Sequence, residues 1–224
     1  MRTRNFQNAV KSPQSSLLSI DLQYFPCINA FVDIVQSGSV FFDNELLFRK
    51  SSFRNRMLLP GGNGIVSLSI PLVGGRSVKL PYKAVEIDYN NTWQRDHFRS
   101  LETIYGNSPF YFIYKSSLKE IFERKPQFLV DWNLICLDWI VKKMKVNLHL
   151  LHDSSLFSKE QEFRERIDFY LPSNYDQNGK EPFFKYPQLF EDKIGFKPNV
   201  SIVDLLFNLG PDALKKITNP TKPL

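Results

Sequence analysis

A chain of 224 residues, 42% apolar and 14% aromatic, is long enough to bury a core without disulfides or metals. That composition excludes disorder over the whole chain, and no stretch approaches the roughly 20 consecutive apolar residues of a membrane helix. The formal charge of +6 sits mostly at the ends, with Arg2, Arg4 and Lys11 unopposed and Lys215, Lys216 and Lys222 set against Asp212, which leaves +1 for residues 12–210. Basicity so placed argues against nucleic acid as a partner, because a nucleic-acid binder needs a basic stripe on its folded body beside presented aromatics.

Residues 1–14 are polar and basic and read as a disordered tail. The opening MRTRNFQNAVKSPQSS lacks the apolar segment of a secretory signal, so a cytoplasmic protein is expected. The domain is expected over 15–211, with a C-terminal tail from 212 to 224. LLSIDL (17–22) reads as a buried strand, CINAFVDIV (27–35) as a helix and SVFFD (39–43) as a second strand, together a parallel βαβ unit. Cys27 and Cys136 are far apart in apolar surroundings, which suits small buried hydrophobes and neither a disulfide framework nor a zinc site.

Between Glu45 and Glu86 there is no acidic residue, while Arg49, Lys50, Arg54, Arg56, Arg76, Lys79 and Lys83 all fall there. Within that segment, NRMLLPGGNGIVSLSIPL (55–72) carries a Gly-Gly-Asn-Gly turn between two strand-like runs and reads as a hairpin. No Lys-Ser/Thr follows the glycines, so a phosphate-cradling P-loop is not supported. AVEID (84–88) is a further strand-like piece. Ser117-x-x-Glu120 has the form of a capping box opening LKEIFERK.

From 128 onward, Phe128, Trp132, Ile135, Cys136, Trp139, Ile140 and Met144 recur at helical spacing, which places both tryptophans in the core. NLHLLHD (147–153) reads as a strand on which His149 and His152, three apart, face opposite sides, so shared metal binding is not expected. Ser158-x-x-Gln161 suggests a short helix. Residues 172–198 read as irregular, and Ser201-x-x-Asp204 as a helix start with Gly210-Pro211 as its stop. The whole is an α/β domain: a single mixed, partly parallel sheet with flanking helices.

An ordered series of small motifs carries a family resemblance over about residues 17–211. It runs through Tyr24-Phe25-Pro26, Lys50 with Arg54-Asn55-Arg56, Asn63-Gly64, Leu68-Ser69-Ile70-Pro71, Trp93-Gln94-Arg95 with His97, Tyr105 and Ser108-Pro109-Phe110. Asp131 and Asn133 follow, then Tyr186, Phe190 and the run Ser201–Gly210. In this series the chain resembles the WbqC-like family of bacterial proteins tied to O-antigen and surface-polysaccharide gene clusters. The resemblance implies an enzyme of polysaccharide biosynthesis, with acyl or aminoacyl transfer onto a phosphate-linked, nucleotide-activated amino sugar as the suggested chemistry. The alternative is a non-catalytic binding or scaffold protein of a polysaccharide assembly complex. Many members carry His-Gln-Pro just before the Tyr-Phe-Pro position; this chain has Ile20-Asp21-Leu22 there, which makes Asp21 the candidate to stand in for that histidine.

A nucleotide-sugar or other anionic small molecule needs fixed cations, and guanidinium groups suit phosphates better than ammonium groups. Lys50, Arg54 and Arg56 are a compact supply. On a strand Arg54 and Arg56 share a face, with Asn55 opposite and able to close the hairpin. Two readings stand open for these arginines: an anion site, or ion pairs with carboxylates such as Asp43 or Glu45. His97 is the candidate acid or base, because imidazole titrates near neutrality. If 93–105 is helical, His97 shares a face with Trp93 and Tyr105, which join the substrate-binding candidates. A half-buried histidine bonded to a carbonyl fits the same pattern. Ser154-Ser155 lacks the surroundings of a nucleophile and reads as cap or turn. No residue names a cofactor or a metal.

Overall fold

The computed structural model describes residues 17–75, 78–151, 163–177 and 185–219. Arg76, His152, Ser154-Ser155 and the Ser158–Gln161 pattern lie outside the described residues.

The expected βαβ opening is present. Strand β1 (Leu17–Ile20) is buried throughout, helix α1 (Ile28–Ser37) buries Phe31 and Ile34, and β2 (Ser39–Phe41) pairs parallel with β1 at Leu18↔Val40. Gly38 ends α1 with φ 69°, and its N–H donates to the Ile34 carbonyl; that left-handed conformation costs glycine nothing. Strands β5 (His149–Leu151) and β6 (Phe163–Arg166) extend the sheet to the order β5-β2-β1-β6, every neighbouring pair parallel.

Strands β3 (Arg56–Gly61) and β4 (Gly64–Ser69) form the expected hairpin as a separate two-stranded antiparallel sheet. Gly64 sits at φ 123°, and a Cβ on Gly61 would lie 2.7 Å from Val66 Cγ2, so glycine serves both the turn and the close approach. Residues 84–88 form no regular strand. A 3-10 turn covers Tyr82–Ala84, and Glu86 and Ile87 make only isolated bridges to Phe128 and Leu72.

Three helices fill the middle of the chain: α2 (Trp93–Tyr105), α3 (Tyr111–Phe122) and α4 (Leu129–Met144). The capping-box reading of Ser117 fails, because α3 starts six residues earlier. Ser117 is interior, and its hydroxyl donates to the Tyr114 carbonyl, as a mid-helix serine does. Trp132 and Trp139 are core residues as expected. Trp132 stacks edge-on against Trp93 at 5.0 Å and Phe122 at 5.7 Å, and Trp139 meets Phe25 at 6.0 Å.

After a four-residue α5 (Glu191–Ile194), helix α6 (Ile202–Leu209) is buried along its length and ends at Gly210. Its start does not use the expected cap: the Ser201 hydroxyl donates to the Phe25 carbonyl, and Asp204 turns into the core. Helix α7 (Asp212–Thr218) follows, and Ala213 and Ile217 pack into the core, so the segment after 211 begins as a docked helix.

Candidate functional site

Open parallel sheets offer a ligand crevice beyond the strand carboxyl ends, where the strand order reverses. Here the reversal falls between β1 and β6, and the residues just beyond those ends are Asp21 and Asp168. An internal ion network holds this place. Arg54 donates from Nε and Nη2 to Asp21 Oδ1 at 3.2 and 2.6 Å and from Nη1 to the Leu47 carbonyl at 2.9 Å. Its Nη2 also lies 3.6 Å from Asp168 Oδ1, and its plane covers the Tyr82 ring at 5.4 Å. The Asp168 N–H, on a backbone at φ 53°, donates to Asp21 Oδ2 at 2.7 Å, and Arg49 pairs with Asp168 at 3.2 Å. Burial pushes the Asp21 carboxyl up while Arg54 pulls it down. Both partners are almost wholly buried, so the pair is structural in its geometry.

Behind it, Asn133 is fully buried on α4. Its amide donates to the Arg54 carbonyl at 2.6 Å and to the Tyr82 hydroxyl at 2.5 Å, and Tyr82 in turn donates to the Leu22 carbonyl.

Asn55 and Arg56 take a different course from Arg54. Strand β3 begins at Arg56, so the two-residue alternation does not reach back to Arg54, and the two arginines point to different places. Asn55 closes the hairpin base in both directions: its side chain donates to the Ile70 carbonyl at 2.9 Å and its carbonyl accepts from the Ile70 N–H at 2.8 Å. Arg56 faces Ser69 across the hairpin and donates from Nε to its hydroxyl at 3.0 Å, which orients the guanidinium. The loop before β3 is fixed by Ser51 at φ 53° and by the Ser52 hydroxyl, which donates to the Arg49 carbonyl.

Together these residues line a pocket of about 550 Å³. Lys50, Ser51, Asn55 and Arg56 form its polar side; Phe48, Ile70, Pro71, Leu72 and Gly75 form its apolar side. Neither Lys50 nor Arg56 is in an ion pair among the described residues. A second pocket of about 510 Å³ lies at the start of α2, between Tyr89, Phe98 and Lys119. Two of its three cations are in ion pairs, Lys119 with Glu123 at 3.8 Å and Arg95 with Asp96 at 3.5 Å, and the third, Lys125, lies over the Tyr89 ring at 6.0 Å.

The remaining sequence candidates do not line the hairpin pocket. His97 is buried on α2, with its Nδ1 3.1 Å from the Tyr24 hydroxyl and its ring against Trp93 at 5.2 Å. Burial lowers its pKa from 6.5 to about 4, although Asp96 and the Ser69 carbonyl favour the charged form, so the ring is neutral near pH 7. Trp93 is packed against Trp132, and Tyr105 against Phe207 at 5.1 Å; burial and the neighbouring Asp204 carboxylate push the Tyr105 hydroxyl well up.

Two buried acidic centres escaped sequence reasoning. Asp33 on α1 takes Arg164 at 2.9 Å, Arg166 at 3.4 Å and the Tyr170 hydroxyl at 2.7 Å, which ties β6 to the first helix. Asp204 is fully buried and accepts from Tyr186 at 2.5 Å, Gln188 at 2.9 Å and Asn208 at 3.2 Å. Burial nonetheless raises its carboxyl to about 6. The alternation of Arg164 and Arg166 was the one available sign of the first centre; only proximity reveals the second. No group of three or more His, Cys, Asp or Glu fit to hold a metal occurs among the described residues, and Cys27 and Cys136 are free buried thiols.

The fold and pocket define a mixed α/β protein: a four-stranded parallel sheet, flanking helices, and a separate hairpin that presents a cation-lined cavity. The chain belongs to the WbqC-like protein family, whose model matches residues 22–171 and 168–216. No curated protein and no solved structure matches it. No helix among the described residues is long and apolar enough to cross a membrane.

Proposed function

We propose that the protein binds a phosphate-bearing sugar in the hairpin pocket and serves bacterial O-antigen or surface-polysaccharide biosynthesis. The observation that carries this reading is the placement of Lys50 and Arg56 at one cavity of about 550 Å³, neither of them paired with a carboxylate among the described residues. A guanidinium oriented by Ser69 and an exposed ammonium are suited to a phosphate, and Asn55 and Ser51 add hydrogen-bonding capacity for a sugar. The family's link to polysaccharide gene clusters supports the substrate class, and acyl or aminoacyl transfer to an amino sugar is the reaction in keeping with it.

A second reading, a non-catalytic binding protein of an assembly complex, is favoured by one specific observation. The two residues suited to proton transfer, His97 and Asp21, are buried and engaged with Tyr24 and Arg54. Both readings share the pocket. A thermal-shift panel of nucleotide sugars, sugar phosphates and acyl-CoA, on the wild type and on Lys50→Ala/Arg56→Ala, tests it. A ligand at a hundredfold excess over its Kd stabilises by about 2.7 kcal/mol. The shift should vanish in the double variant, and silence from every phosphate-bearing compound on folded protein refutes the reading. Turnover of an amino-sugar acceptor with acyl donor would then separate transferase from binding protein.

A further inference from the structure

We infer that Asp168, just beyond the end of β6, is a positioning residue for the hairpin pocket: through Arg49 it holds Lys50 and Ser51 in place against the ligand. This rests on the preceding assignment of the pocket to a phosphate.

Lys50 and Ser51 are exposed, line the pocket, and form a two-residue arch between Arg49 and Ser52. The Ser52 hydroxyl closes the arch by donating to the Arg49 carbonyl at 2.7 Å, and it accepts from the Arg54 N–H at 3.3 Å. The chain entering the arch is tied down twice. Arg54 Nη1 donates to the Leu47 carbonyl at 2.9 Å, and Arg49 Nη1 pairs with Asp168 Oδ2 at 3.2 Å. Both ties lead to one place beyond the sheet, because Asp21 holds Arg54 and also accepts from the Asp168 N–H at 2.7 Å. The residues that follow β1 and β6 therefore fix the residue that precedes Lys50.

As a stability element the Arg49–Asp168 pair is weak. Its side chains are 47% and 29% exposed, and ion pairs open to solvent contribute little to folding. Yet the backbone is strained at both ends of this link, with Ser51 and Asp168 each at φ 53°. Non-glycine residues in that conformation persist only where their surroundings over-determine them, and they gather at ligand sites. A lysine on an unanchored turn loses conformational freedom when it binds, whereas on a fixed arch much of that loss has occurred during folding. Orientation of a pocket wall is thus the role that fits the pair.

The charge of Asp168 makes the inference decidable. A carboxylate near an anion site repels the ligand, so its removal by charge alone should tighten phosphate binding; loss of positioning should weaken it. The assay is NMR titration with glucose 1-phosphate on folded protein. Asp168→Asn keeps the N–H that meets Asp21 and a residue type that tolerates positive φ. It should weaken binding about threefold to tenfold, the cost of ordering one long side chain. Arg49→Ala should weaken binding as much, the double variant no more than either single change, and Arg49→Lys, which keeps the pair, should stay within about twofold of wild type. Unchanged or tighter binding by Asp168→Asn, additive losses in the double variant, or no rescue by Arg49→Lys overturns the inference while the phosphate pocket stands. If the wild type binds neither glucose 1-phosphate nor inorganic phosphate, or if Lys50→Ala/Arg56→Ala binds them as wild type does, the pocket assignment falls and the inference with it.

Discussion

The pH dependence of stability offers a sharp test, because two buried groups act in opposite directions over the same range. His97 is held neutral, with its pKa lowered from 6.5 to about 4 by burial. The unfolded chain therefore binds the extra proton between those values, and stability contributed by this site rises with pH from about 4 to 6.5. The interval corresponds to about 3 kcal/mol. Asp204 behaves in the reverse sense: burial raises it from 3.8 to about 6, so the folded state binds the extra proton there, and stability is lost as pH rises through that range. That loss is also about 3 kcal/mol. The two offset in the wild type, and removal of either exposes the other. Urea unfolding at a series of pH values is the assay. His97→Gln, which keeps an amide to meet Tyr24, should become less stable by about 3 kcal/mol between pH 4 and 6.5 relative to the wild-type curve. Asp204→Asn should show the opposite relative slope, whatever its absolute loss from facing the Tyr186 and Gln188 donors. Parallel curves for wild type and His97→Gln would refute a depressed histidine, and a resonance assigned to His97 by its absence from the variant and titrating near 6.5 would do so directly.

Further outcomes follow from the same geometry. Arg54→Ala leaves the Asp21 carboxylate buried without its guanidinium and should cost about 3–5 kcal/mol in chemical denaturation; a loss under 1 kcal/mol would contradict the pairing. Lys50→Ala/Arg56→Ala, on the solvent side of the same segment, should stay within about 1 kcal/mol of wild type by the same measurement while losing its phosphate-dependent thermal shift. Gly210→Ala sets a Cβ 2.3 Å from Phe110 Cδ1 at a backbone φ of 54°, and should lower stability by about 1–3 kcal/mol. An unchanged Tm would show that α6 ends with more room than the structure gives it.

The sequence by itself determined what depends on near neighbours. The β1–α1–β2 opening, the Gly-Gly-Asn-Gly hairpin and the amphipathic α4 were legible because periodicity and turn chemistry are local. Asn55 does reach across the hairpin base, although it stands one residue before β3 and strand alternation does not place it there. The acid-free stretch between Glu45 and Glu86 pointed to the segment that carries the pocket.

Local pattern failed where it was borrowed by something else. The Ser117-x-x-Glu120 spacing occurs inside α3, because it arises on any helix face; Ser201-x-x-Asp204 does open a helix that stops at Gly210, but its acid is drawn into the core and caps nothing. Only tertiary structure decided the fates of the charged candidates. Arg54 and Arg56 are alike in composition and two residues apart, yet one meets Asp21, 33 residues away, and the other faces an open cavity. His97 finds Tyr24 at a separation of 73 residues and leaves water with it. The physical reason is that a charged or titratable side chain takes its role from desolvation and from its partners, and both are properties of the packed chain.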